Sequence, residues 1–123
     1  MIAQNYCPEG IREMQRTKVA LITREWPPQV YGGAGVHVVQ LAQALEKKTA
    51  IQLSVHCFGQ KRSDAHAYST PSDFPDINPA LQAIATDLLI ANALADVDIV
   101  HSHTWYANMA GHLAAKMYAS LTS

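Results

Sequence analysis

Charge is scarce in this chain and nearly balanced: nine basic residues against ten acidic leave a net charge of −1, and charged residues are 15% of 123 positions. Such a balance excludes the basic footprint that binding to nucleic acid or an anionic membrane surface requires. Cysteine is almost absent. Cys7 and Cys57 lie far apart with no CxxC spacing, which excludes a zinc knuckle or a redox pair. No apolar run is long enough to span a bilayer, and Met1 to Thr17 contain no continuous apolar stretch of the kind a secretory leader carries. The expected location is cytoplasmic.

What is present is an apolar content of 49%, enough for one domain with a real core. Residues 1–17, broken by Pro8 and Gly10, read as a loose N-terminal tail, with Met14 an alternative start just ahead of the first regular element. The domain is placed at 18–123. Val19-Ala20-Leu21-Ile22 has the β-branched bias of a strand buried on both faces. A turn-rich segment, Glu25 to Gly35, leads into a helix with Val36, Val39, Ala42 and Leu45 at helical spacing and Lys47 and Lys48 at its end.

Ile51 to Phe58 reads as the second strand, ended by Gly59, with Cys57 a buried small hydrophobe. Gln60 to Ile77 reads as a long loop. Asn78-Pro79 is an N-cap followed by proline at the first helical position, opening a helix whose apolar stripe is Leu81, Ile84, Leu88, Ala91 and Ala95. Val97 to His101 reads as a third strand, followed by a helix from Tyr106 to Tyr118 with Met109, Leu113 and Met117 on one face. Alternation of strand and helix calls for a parallel sheet with helices on both faces, an α/β Rossmann-like architecture. Three strands make a small sheet, and the expected neighbour of the last one is not read before Ser123, so the domain is expected to be partial. Exposed sheet edges and apolar helix faces would then favour self-association.

Two unusual clusters fall at carboxyl ends of strands, where parallel sheets bind ligands. The first is Tyr31-Gly32-Gly33-Ala34-Gly35. Glycines opening a helix let backbone amides approach an anion, although a tight turn into the helix is an equal reading of the same residues. No lysine follows as in a phosphate-binding Walker loop, and Val38 stands where a dinucleotide fingerprint wants its third glycine. No acidic residue ends the second strand, so an NAD-binding domain is the less favoured alternative. The second cluster is His101-Ser102-His103-Thr104-Trp105. The other histidines repeat no metal-ligand spacing, so no metal is expected. His103 is the candidate ligand contact and His101 the structural member. Trp105 and Trp26 read first as packing aromatics; stacking on a sugar ring is the functional alternative.

The segments Lys18 to Pro28, Tyr31 to His37, Val55 to Gly59 and Asp98 to His112 together resemble the opening of bacterial glycogen and starch synthases. The resemblance covers most of 18–119 and implies a GT-B glycosyltransferase, whose two Rossmann-like domains face each other across a cleft. It implies retaining transfer of glucose from a nucleotide sugar, usually ADP-glucose, in glycogen biosynthesis, without a divalent metal and with no other cofactor expected. Gly32 and Gly33 match the family's double glycine near the donor's distal phosphate and glucose. His103 matches the histidine that hydrogen-bonds the donor sugar and is the candidate catalytic residue, and Glu25 matches a glutamate ending the first strand. Tyr31 and Trp105 complete the candidate donor and substrate contacts. Two departures bear on the acceptor: Val30-Tyr31 stand where a lysine-threonine pair is usual, and Thr104 replaces the aspartate of an HxHDW motif. Both resemble a branch whose acceptor is glucose 1-phosphate rather than an α-glucan. The alternative is a catalytically inactive product or weak binding module, since the family's second domain binds most of the nucleotide.

Overall fold

The computed structural model of the chain describes residues 16–71, 76, 78–118 and 121–122. Cys7, Met14 and nearly all of the expected tail therefore lie outside the described residues. The elements run β1 (Thr17–Thr23), α1 (Gly33–Glu46), β2 (Ile51–Phe58), β3 (His66–Tyr68), α2 (Pro79–Asn92), β4 (Ile99–His103), α3 (Trp105–Tyr118) and β5 (Leu121–Thr122). All strand pairs are parallel, in the order β3-β2-β1-β4-β5. Strand order reverses at β1, so the ligand crevice of such a sheet lies between the ends of β1 and β4.

Central position explains the composition of β1. Ala20 and Ile22 face one side, where they pack with Ile90, Leu94, Val100, Ala107, Ala110 and Ala114 from α2, the segment after it, β4 and α3. Leu21 faces the other and packs with Val38, Ala42, Val55, Cys57 and Trp26. Each large side chain buried this way contributes about 1.5–3 kcal/mol. Cys57 is fully buried, and burial pushes its thiol above the usual range. α2 begins as its sequence reads: the Asn78 side chain accepts the Ala80 N–H at 2.8 Å, with Pro79 at the first turn.

Three expectations need correction. The segment Gln60 to Ile77 is not all loop, since His66–Tyr68 pairs with the end of β2. A neighbour for β4 is present, because Leu121–Thr122 pairs with Ile99 and Val100. The third strand runs Ile99–His103, two residues beyond the expected Val97 to His101.

The helix faces also differ from those read by hydrophobicity. α1 buries Gly35, Val38 and Ala42 and leaves Val36 exposed. α2 buries Ala85, Thr86, Asp87, Ile90 and Ala91, while Leu81, Ile84 and Leu88 are exposed. α3 turns Ala107, Ala110, Gly111 and Ala114 inward and leaves Met109 and Met117 outside. Close approach is the reason. A Cβ on Gly111 would sit 3.1 Å from the Ser102 side chain of β4, so small residues take the inner face and long ones are displaced outward. No helix among the described residues is long and apolar enough to cross a membrane.

Candidate functional site

The crevice is built from what leaves the ends of β1 and β4. Thr23 pairs with His103 in register, which brings the Arg24–Gly33 connection beside the His103-Thr104-Trp105 turn. Thr23 Oγ1 donates to the Glu25 carbonyl at 2.9 Å and starts the turn. Trp26, buried at 6% exposure, donates its indole N–H to Asp64 at 3.2 Å. Arg62 reaches across to the Trp26 carbonyl at 2.7 Å and the Pro27 carbonyl at 3.3 Å. The β1–α1 connection is thus fastened to the segment after β2. Gly59 makes room for this fastening: its φ is +111°, and a Cβ there would meet the Gln29 side chain at 2.5 Å.

The glycines divide into two kinds. A Cβ on Gly35 would collide with the Glu25 carboxylate and would lie 2.7 Å from Val30, so this glycine is required by packing. At Gly32 and Gly33 an added Cβ meets nothing within 4 Å. Nor does backbone conformation demand glycine at position 32, where φ is −167°. The tight-turn reading of the loop therefore accounts for Gly35 alone.

Gly32 caps α1 without a side-chain hydrogen bond, and no acid occupies the first turn. The Val36 N–H makes the first intrahelical bond, to the Gly32 carbonyl at 3.3 Å, leaving the amides of Gly33, Ala34 and Gly35 ahead of it. Such a terminus carries free donors and the positive end of the helix dipole. The Glu25 carboxylate lies beside it and accepts the Tyr31 N–H at 3.3 Å. Tyr31 itself is 79% exposed.

His103 projects to the same side of the sheet as α1, where its ring stacks on His37 at a centroid distance of 5.4 Å. His101, two residues back, stacks on His103 at 6.4 Å, as expected from strand alternation. Burial, followed by the neighbouring His103 and His37, lowers the pKa of His101. The imidazole nitrogens on this side can serve as hydrogen-bond donor or acceptor. Among the described residues no group of three or more His, Cys, Asp or Glu is arranged to hold a metal ion.

Trp105 lies on the other side. It opens α3, 61% exposed, and stacks on Tyr106 at 3.8 Å. The Arg24 guanidinium sits 4.0 Å from the centre of the Tyr106 ring. Thr104 makes the turn between His103 and this aromatic pair with φ of 70°, a conformation costly for a β-branched residue. Strain of this kind collects at sites where neighbouring groups must be aimed.

Glu25, Tyr31, Gly32, Gly33 and His103 are therefore gathered on the α1 side of the crevice, and Trp105 belongs to a separate wall. Sequence reading missed His37, Arg62, Asp64 and Arg24. His37 had the clearest signal, four positions into a helix that starts at the glycines.

Residues 31–121 match the family model described as Glycosyltransferase Family 4. Over 101 residues the chain is 48% identical to an alpha-maltose-1-phosphate synthase of Mycobacterium tuberculosis, found in the CDC 1551 / Oshkosh and H37Rv strains. It is 44% identical over 101 residues to an alpha-maltose-1-phosphate synthase of Mycolicibacterium smegmatis. These alignments cover 82% of this chain and 26% of each relative, so the chain spans about a quarter of their length.

Proposed function

Because the chain belongs to glycosyltransferase family 4, with the α/β fold of a GT-B N-terminal domain, we infer that it forms one wall of the cleft of a retaining glucosyltransferase. The donor in this reading is a nucleotide sugar, ADP-glucose, and the acceptor is glucose 1-phosphate or an α-glucan, in glycogen biosynthesis. One observation carries it: Gly32 and Gly33 stand open at an uncapped helix terminus, beside His103, with no packing reason to be glycine.

In this assignment the Gly32-Gly33 backbone receives the donor's distal phosphate and lets the glucose lie close. The α1 amides oppose negative charge there as the bond to the nucleotide lengthens. His103, held by its place opposite Thr23 and by the His37 ring, hydrogen-bonds a hydroxyl of the transferred glucose. Glu25 keeps the loop in place through the Tyr31 amide and its packing on Gly35. The curated relatives bear the name maltose-1-phosphate synthase, which favours glucose 1-phosphate as the acceptor.

Nucleotide release tests the assignment. The enzyme containing this chain is expected to liberate ADP from ADP-glucose when glucose 1-phosphate or maltodextrin is supplied, with glucose incorporated into the acceptor. Failure to release ADP with either acceptor would contradict it.

A further inference from the structure

Beyond the glycine loop, the ends of the strands open on a second cavity. It has a volume of about 320 Å³ and is walled by Arg24, Phe58, Thr70, Pro79, Trp105 and Tyr106, with neighbouring residues of α2. It lies on the α2–α3 side of the sheet, away from His37 and His103. Its size suits a monosaccharide-scale ligand.

Three features define its chemistry. Arg24 is the one charged side chain among the described residues of the wall, so the cavity is cationic. Its guanidinium carbon lies over the Tyr106 ring, 4.0 Å from the centroid, and the group makes no ion pair or hydrogen bond among the described residues, leaving its N–H groups available. Trp105 adds an exposed ring, stacked at 3.8 Å on the same tyrosine. Arginine held on an aromatic face is a pre-oriented fork for phosphate oxygens, and an indole face suits the C–H surface of a pyranose.

We propose that this cavity is the acceptor subsite and takes a phosphorylated monosaccharide, with Arg24 binding the phosphate and Trp105 the sugar. The proposal rests on the glucosyltransferase reading and gives the acceptor favoured there a place in the fold and a residue that recognises its phosphate. A neutral glucan has no use for a lone, exposed cation in the cavity wall, whereas a sugar phosphate does. The same cation has a second possible anion, the diphosphate of the donor, and the test separates the two.

The enzyme carrying this chain is assayed as wild type, Arg24→Ala and Arg24→Lys, varying ADP-glucose and glucose 1-phosphate independently. Calorimetric binding of glucose 1-phosphate, glucose and inorganic phosphate is measured alongside. Arg24→Ala is expected to raise the KM for glucose 1-phosphate about tenfold or more, leave that for ADP-glucose within about twofold, and abolish the preference for glucose 1-phosphate over glucose. Arg24→Lys is expected to recover part of the affinity without the full discrimination, because it restores charge but not the fork. An unchanged KM for glucose 1-phosphate in Arg24→Ala, or a larger rise for ADP-glucose, overturns the proposal. If the wild type transfers no glucose to either acceptor, the glucosyltransferase reading fails. Calorimetry still decides the subsite: equal affinity for glucose and glucose 1-phosphate in the wild type overturns it.

Discussion

Arg24 and Glu25 leave the end of one strand in opposite directions, and the two sides of the crevice they serve are built differently. On the Glu25 side the groups offered are backbone amides and imidazole rings, arranged around glycines that leave space. On the Arg24 side they are a full positive charge and stacked aromatic rings. A helix terminus can meet a charged group that also changes during reaction, because its donors are fixed and it needs no counter-charge. A guanidinium on a tyrosine instead recognises a group that stays ionised throughout. Under the proposed assignment, the difference lets one strand end separate a reacting donor from an acceptor handle.

The largest effect expected is on the glycine side. His103→Ala should lower kcat/KM by about 100-fold or more, the usual loss when a donor aimed at the reacting sugar is removed. Steady-state kinetics with both substrates varied checks this, and a loss confined to the glucose 1-phosphate KM would move His103 to the acceptor side.

Next comes a contrast within the loop. Gly35→Ala should cost about 1–3 kcal/mol of stability, because its Cβ must displace Glu25 and Val30. Gly33→Ala should change stability by less than about 0.5 kcal/mol while raising the donor KM about tenfold. Chemical denaturation and kinetics on the same two variants separate a packing glycine from a ligand glycine. If Gly33→Ala proves the more destabilising, the division drawn between them is wrong.

Smaller effects belong to buried titratable groups outside the crevice. Asp87 is 2% exposed with Oδ1 unpartnered among the described residues, and burial raises its pKa from 3.8 to about 7. Its neutral form is the folded form, so its contribution is complete below pH 3.8 and is lost as pH rises through about 7. Asp87→Asn should therefore stabilise the protein by about 1–3 kcal/mol at a pH above 7 and by almost nothing near pH 4.

His56 acts in the opposite sense. Burial, then the neighbouring His66, lowers its pKa from 6.5 to about 4, so its contribution is present above 6.5 and is lost as pH falls toward 4. Its ring lies 3.0 Å from Ser54 Oγ and 2.9 Å from Tyr68 Oη. Thermal melts across pH check both slopes: Asp87→Asn should flatten the alkaline limb and His56→Gln the acid one.

Much of the frame was legible in the sequence because it rests on local signals. β2 ends at Phe58 before Gly59, α2 opens at Asn78-Pro79, and the glycine loop and the His101-His103 pair lie at adjacent strand ends as their flanking apolar runs implied. β3 and β5 were missed because three and two residues carry too little pattern. The helix faces were misread because hydrophobicity favours the largest apolar residues, whereas helices lying close on a sheet bury the smallest, as Gly111 against Ser102 shows. Nor does any sequence rule say that Arg24 turns toward Tyr106 while Glu25 turns toward Gly35. That difference is created by β1 ending between two helices on opposite faces, which only the fold supplies.

Separation of donor and acceptor across the end of β1 is tested most directly by ligand titration of the enzyme with isotope-labelled glycine amides and tryptophan indoles, read by nuclear magnetic resonance. ADP-glucose should shift Gly32 and Gly33 and leave the Trp105 indole in place, while glucose 1-phosphate should shift Trp105 and leave the two glycines. Shifts of the same set by both ligands would contradict two sides with two tasks.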